Sequence, residues 1–320
     1  SGAGVKAGAE GASLGEGPGG GLRSSSERGF HRSDGDLEAC GGWGSDGPPS
    51  RCGALLRVEV EALGATPPAP EAPTGAAEKT CPKGTVRIEG GIYTPAEQSG
   101  RLFGGNVSVA DLCVAPTEVT VAEYRRCVRD GACSPAPLSA QAEELDDDAR
   151  AAESALCNGG RRGHGRHPVN CVDWHQAESY CRAVGGRLPR EEEWEWIARG
   201  GDQHRSYPWG EDDPEADLAN ACGRECSREE RLFVGRDGHQ GTAPVGSYRR
   251  GRGRWRLEDL AGNVWEWTAS GEGSARAVRG GSFRSSDDGE LRVGGREELR
   301  VRDRRADVGI RCVWEPAAAP

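Results

Sequence analysis

The chain of 320 residues sets 41 Lys and Arg against 51 Asp and Glu, a net charge of −10 that argues against nucleic acid as its general partner. Its 35% hydrophobic content, 50 glycines, nine tryptophans and absence of methionine point to short strands, tight loops and a few aromatic plugs rather than long packed helices. No apolar run approaches the roughly eighteen residues that cross a bilayer, so no membrane span is expected.

In chain order, residues 1–38 are Gly, Ser, Ala and charge, the composition of a disordered linker. The chain starts at Ser1 rather than methionine, so removal of a leader or of a further domain is expected. Residues 39–64 form a small cysteine-containing segment in which Leu56, Val58 and Val60 alternate as in one strand. Residues 65–80 are a proline-rich, extended spacer; the folded domain is expected over 81–316, with 317–320 as a tail. Thr120 with Glu123 has capping-box spacing and opens a helix to about Val128. An acidic run, Glu143 to Asp148, falls in an insertion between Cys133 and Cys157 and reads as a solvated face. Asp173 with Gln176 caps a second helix that stops at Gly185-Gly186. Pro189 starts a third, with Trp194, Ile197 and Ala198 on one face and Gly200-Gly201 as its stop. From Val278 the pattern is of strands, Ile310, Cys312 and Trp314 pointing one way.

Twelve cysteines, an even number in loop-rich sequence, read as about six disulfides of an exported protein. The pair Cys222 and Cys226 has the spacing of half a zinc site, but no second pair with histidines follows, so a disulfide ranks above zinc. The most local pairings are Cys40 with Cys52 and Cys127 with Cys133. His164, His167 and His175 form no metal-binding pattern on a helix and read as surface or turn residues. The arginines of Tyr248 to Arg256 and of Arg292 to Arg305 are expected to pair with the domain's own carboxylates or an anionic partner. Trp265 and Trp267 alternate, so they face opposite sides of a strand and at least one belongs to the core.

The segments HPVNCVDWHQAESYC (His167 to Cys181), GGRLPREEEWEWIARGG (Gly185 to Gly201), YPWG (Tyr207 to Gly210), DGHQGTAPVGSY (Asp237 to Tyr248), GNVWEWT (Gly262 to Thr268), VRGGSF (Val278 to Phe283) and DVGIRCVW (Asp307 to Trp314) follow one another in an order that resembles the formylglycine-generating enzymes, the sulfatase-modifying factors. The resemblance covers about residues 81 to 314. It implies an α+β fold, a variant of the C-type lectin fold with little regular secondary structure, stabilised by disulfides and calcium. It implies a bridge between Cys181 and Cys312. It also implies two calcium sites: Asp259 and Glu266 by side chain with Gly262 and Val264 by main chain, and Asn220 and Asp237 by side chain with Ala221 and His239 by main chain. Carboxylates and carbonyls are the hard donors that calcium takes. The chain departs from the family at Arg256, where a glycine is usual.

The family's enzymes oxidise a sulfatase cysteine to formylglycine with oxygen and a copper ion held by two cysteines. The matching positions here, counted from Ser282, are Ser285 and Glu290, and no cysteine lies between Gly280 and Arg311. A hydroxyl and a carboxylate are hard donors that do not replace thiolates on Cu(I), so copper is not expected. Ser282 is retained, but a serine without a base beside it is no nucleophile. The expectation is thus an exported domain that binds a peptide, protein or glycan without catalysis, in a groove lined by Arg284, Asp287, Asp288, Glu290 and Arg292. The alternatives are an oxidase with divergent metal ligands and an accessory domain tethered to the envelope.

Overall fold

The computed structural model describes residues 79–96, 105–226 and 230–318. The linker, the small cysteine segment, nearly all of the spacer and the pairing of Cys40 with Cys52 lie outside them. In chain order the described residues form β1 (Lys79–Thr80), β2 (Val86–Ile88), β3 (Gly91–Tyr93), β4 (Val107–Val109), β5 (Leu112–Val114), α1 (Val121–Arg129), α2 (Asp147–Ser154), α3 (Trp174–Ala183) and α4 (Glu191–Ala198). There follow β6 (Trp265–Trp267), β7 (Ala275–Arg279), α5 (Asp288–Leu291), β8 (Arg296–Arg300), β9 (Val308–Gly309), β10 (Val313–Trp314) and β11 (Ala317–Ala318). Most strands are two or three residues long, and a large share of the chain is loop, as glycine-rich sequence dictates.

The largest sheet has the order β8-β7-β6-β9, antiparallel except for the parallel pair β6 with β9. A second sheet, β10-β5-β2, joins the end of the domain to its beginning. The first and last strands also pair, Lys79 opposite Ala318 and Thr80 opposite Ala317, so the folded body reaches slightly beyond the expected limits of 81 and 316.

Both expected capping boxes form. Thr120 Oγ1 accepts from Glu123 N at 3.2 Å and Thr120 N donates to Glu123 Oε2 at 2.8 Å. Asp173 and Gln176 do the same at the head of α3. The third helix starts at Glu191, two residues after Pro189, and Gly200 in the left-handed region (φ 74°) ends it. Its expected apolar face is buried, but Glu191, Glu193 and Glu195 are buried as well. Arginines explain this: Arg279 meets Glu191 at 2.9 Å and Glu195 at 3.0 Å, and Arg187 meets Glu193 at 2.7 Å. A buried charge is tolerated where it is paired and hydrogen-bonded.

The core has two principal clusters. One packs Tyr124 of α1, Trp174, Tyr180 and Cys181 of α3 and both Trp265 and Trp267 of β6. The alternation of these two tryptophans therefore does not expose either; both faces of β6 are covered. Trp267 donates its indole N–H to Val172 O at 3.1 Å, which satisfies its polar atom inside the core. The second cluster gathers Ile88, Tyr93, Leu112, Trp194, Ile197 and Leu260.

Ten cysteines of the described residues form five disulfides: Cys81–Cys113, Cys127–Cys133, Cys157–Cys171, Cys181–Cys312 and Cys222–Cys226. The Cys181–Cys312 bridge implied by the resemblance is among them and ties α3 to the last long-range turn of chain, 131 residues away. Cys222 and Cys226 are bonded to each other, not to a metal. The arginine runs are answered internally: Arg250 pairs with Asp217, Arg252 with Glu258, Arg254 with Asp202, Arg296 with Glu191 and Arg305 with Asp307. No helix of the described residues is long and apolar enough to cross a membrane.

Candidate functional site

The segment between β7 and β8 carries the residues that the sequence singled out, and the structure divides them between two surfaces. Ser282, Arg284 and Glu290 line a polar pocket of about 380 Å³ together with Trp265, Glu297, Arg305 and Asp307. Asp287, Asp288 and Arg292 line a shallower depression on the other side of α5, which Glu290 also borders. Asp287 caps α5, its Oδ1 accepting from Gly289 N at 2.7 Å. Asp288 holds Arg292 at 2.8 Å and accepts from the Tyr207 hydroxyl at 3.0 Å. The expected single groove is thus two adjoining surfaces, of which the pocket at Ser282 is the deeper.

The insertion between Cys133 and Cys157 supplies one wall of that pocket, through Ala142, Glu144, Leu145 and Glu153. Asp146, in the acidic run, caps α2 by accepting from Ala149 N at 2.8 Å. At the far end of α2, Glu153 is buried and acts as a clamp: Oε2 meets Arg284 Nη1 at 2.6 Å and Oε1 accepts from Ala306 N at 2.8 Å. Nothing in the sequence marks this glutamate off from its acidic neighbours.

Ser285 does not line the pocket: it is fully buried, and its Oγ accepts from Ser282 N at 2.9 Å. Ser282 Oγ accepts from Arg284 N at 3.2 Å and lies 3.4 Å from Asp307 Oδ2. Burial alone would raise the pKa of Asp307, but Arg305, at 2.7 Å, outweighs it and holds the carboxyl below the usual range. A carboxylate so held is a poor proton acceptor, and no histidine lines the pocket. Ser282 therefore has an orienting neighbour but no base to activate it. Ser285 and Glu290 offer a hydroxyl and a carboxylate, and every cysteine of the described residues is in a disulfide, so the donor set does not fit Cu(I).

The two candidate calcium sites adjoin one another around the turn before β6. Asp259, Gly262 and Asn263 all have positive φ, which folds the turn back on itself. A Cβ on Gly262 would lie 2.3 Å from Asn220 O, so the turn needs glycine to sit against Asn220. Asn263 N donates to that same oxygen at 2.8 Å, and the Asn220 amide donates to Asn263 Oδ1 at 3.0 Å. At the first site Glu266 is engaged from two sides, by Arg311 at 2.7 Å and by the Trp194 indole at 2.7 Å. Asp259 Oδ2 accepts from Gly246 N at 2.7 Å. Glu118, which the sequence reading did not single out, is buried beside them and accepts from Val264 N at 3.1 Å and Asn263 Nδ2 at 2.6 Å.

Glu118, Asp259 and Glu266 are therefore three buried carboxylates around one buried guanidinium, Arg311. Burial pushes Asp259 up to about 6 and Glu118 well above the carboxylate range, with the neighbouring carboxylates adding to the rise at Glu118. Ionised together, the three would carry more negative charge than Arg311 offsets, an excess that a cation would relieve. At the second site Asn220 Oδ1 is buried without a hydrogen-bond partner, which leaves an oxygen donor available. Asp237 accepts from Ala221 N at 3.2 Å and His239 N at 2.9 Å, and burial pushes it up to about 6. Among the described residues no three His, Cys, Asp or Glu side chains converge as a metal site on their own. An ion at either place would depend on amide and main-chain oxygens as well, which is within calcium's habit.

Comparison with known proteins agrees with this architecture. The model of the sulfatase-modifying factor enzyme 1-like domain matches residues 70–316. The formylglycine-generating enzyme of Streptomyces coelicolor is 37% identical over 171 residues, 47% of this chain and 53% of its own length. The inactive C-alpha-formylglycine-generating enzyme 2 of Bos taurus is 37% identical over 153 residues, 45% of this chain and 49% of its own. The chain thus spans about half the length of these curated relatives. Among solved structures, PvdO from Pseudomonas aeruginosa has a TM-score of 0.52 at 20% identity, covering 75% of this chain and 98% of that one, a likeness of fold alone. By the match to its family model over most of the sequence, the chain belongs to the sulfatase-modifying factor enzyme 1-like family.

Proposed function

We propose that this domain is an exported, calcium-stabilised member of its family that binds a peptide, protein or glycan in the pocket at Ser282 and does not form formylglycine. The observation that carries the reading is the pair Ser285 and Glu290: the first is sealed into a turn by its hydrogen bond with Ser282 N, and neither is a thiolate. Similarity alone does not decide between catalysis and its absence, since a catalytic relative and one named inactive are each 37% identical over the matched region. The chemistry of the donor set favours absence of the copper reaction. Five disulfides favour an oxidising compartment. Calcium belongs to the same reading, supported by the surplus buried charge at Glu118, Asp259 and Glu266 and the unpartnered oxygen of Asn220.

The test is to incubate the protein with copper, oxygen, a thiol reductant and a Cys-x-Pro-x-Arg peptide, with a cysteine-bearing relative in parallel, and to weigh the peptide by mass spectrometry. An unchanged peptide beside an active relative is the expected result. Aldehyde formation would overturn the reading and place a divergent oxidase site at Ser285 and Glu290.

A further inference from the structure

Beyond the depression at Asp288, with which it shares Arg292, a further cavity of about 340 Å³ opens between the end of α4, the turn that follows it and the segment after α5. Its volume is at the lower end of small-molecule sites. Arg199, His204, Arg205 and Arg292 line it, and no described residue that lines it is acidic. In a chain of net charge −10, three guanidiniums facing one cavity without a carboxylate among the described residues of its wall call for an explanation. The pocket at Ser282 makes the contrast: there Glu144, Glu153, Glu290, Glu297 and Asp307 face Arg284 and Arg305.

The nearest acids are already engaged. Glu195 lies 3.8 Å from Arg199 but 3.0 Å from Arg279, Asp288 holds Arg292 at 2.8 Å, and Glu211 accepts from Ser206 N at 2.8 Å and Ser206 Oγ at 2.6 Å. Arg205 has no ion pair among the described residues. Its Nε donates to Gln203 Oε1 at 2.9 Å and its Nη1 to Pro208 O at 2.6 Å, which fixes the guanidinium at the cavity wall. Partial burial, and then the charge of Arg254, push its pKa below the ordinary arginine value, as expected of a cation lacking its anion. Arg199 is itself almost entirely buried, held over the Tyr93 ring at 4.7 Å and by Thr94 O at 2.9 Å, and its Nε has no partner. Arg199 Nη2 lies 2.5 Å from His204 Nδ1. A guanidinium has no acceptor, so Nδ1 accepts and His204 keeps its proton on Nε2, a further donor.

We propose that this cavity is a binding site for a tetrahedral oxyanion, the sulfate or phosphate group of a small ligand, with Arg205 as its principal contact and Arg199, His204 and Arg292 beside it. Fixed guanidinium forks match such oxygens through paired, charge-assisted hydrogen bonds. None of its lining residues lines the Ser282 pocket, so the proposal does not rest on the reading given to that pocket.

The test is calorimetric titration of the full chain with sodium sulfate and sodium phosphate at constant ionic strength, chloride serving as the blank. Saturable binding is expected, weakened roughly tenfold or more in Arg205→Gln, the loss of one charge-assisted bond, and unchanged in Arg250→Gln, which alters an exposed arginine paired elsewhere. Phenylglyoxal modification of the unaltered protein, read by peptide mass, supplies a measurement that needs no variant: sulfate should protect Arg205. Absence of saturable binding, an Arg205→Gln affinity equal to that of the parent, or Arg205 labelled equally with and without sulfate would each overturn the proposal. Glucosamine 6-sulfate and glucose 6-phosphate identify the source: tighter binding than the inorganic ions supports a monoester ligand, and equal binding supports the free ion.

Discussion

Arg256 holds a backbone φ of 62°, in the left-handed region that side chains enter at a cost. The same position is where the sequence departs from the glycine usual in the family, and the geometry gives the reason for that glycine. The side chain is exposed and no ion pair of the described residues involves it. Replacing it by glycine should therefore stabilise the domain by about 1 kcal/mol, to be measured by urea unfolding. An equal or lower stability would mean that the arginine is held by something stronger than the strain. A comparable lesson applies to Glu118: its burial against Asn263 and Val264 is decided by a turn 145 residues downstream. Local pattern has no access to that partner, so the carboxylate went unremarked where Asp259 and Glu266 did not.

Among the elements, α1 and α3 were legible because a capping box is written within four residues and its two hydrogen bonds close locally. Helix α2 was not, since its cap, Asp146, lies within a run of acids that reads equally well as solvated surface. The insertion nevertheless folds against the pocket, fastened at its end by Glu153. Changing Glu153 to alanine should cost about 1–3 kcal/mol, less than for a fully buried pair because Arg284 is partly exposed. The local signature is hydrogen exchange at the Ala306 amide, which loses its acceptor and should exchange faster in the variant. Unaltered exchange at Ala306 would show that α2 is not clamped to this wall. The pocket itself was half legible: Ser282, Arg284 and Glu290 converge, whereas Glu297 arrives from β8 and Arg305 and Asp307 from the segment before β9, whose register the sequence does not state.

Over the whole molecule the buried carboxyls tie stability to pH and, on the calcium proposal, to the ion as well. Asp237 and Asp259 titrate near 6 in the fold, above the ordinary value of 3.8. A carboxyl raised in this way favours the fold when protonated, so in ion-free protein its contribution is complete below about pH 4 and is lost as pH rises through about 6. On the calcium proposal the ion would compete for the same groups in their charged form. Chelation should therefore lower the melting temperature most above pH 6 and little at pH 4. With the free ion about a hundredfold above its Kd, each site contributes about 2.7 kcal/mol. A melting curve indifferent to chelator at pH 7 would remove calcium from both places.

The pairing of β1 with β11 and the bridges Cys81–Cys113 and Cys181–Cys312 also set a path for mechanical load. In the antiparallel pair Lys79 faces Ala318, so tension applied at the two ends peels two residues like a zipper and then meets covalent bonds. From Cys81 the load crosses directly to Cys113, and from Cys181 directly to Cys312. The 131-residue stretch between Cys181 and Cys312 is bypassed. That stretch holds both candidate calcium sites, Ser282 and the arginine-lined cavity. Pulled through its ends, the domain would transmit force along its early helices, including the α2 wall of the Ser282 pocket, while the segments between Cys181 and Cys312 stay unstrained.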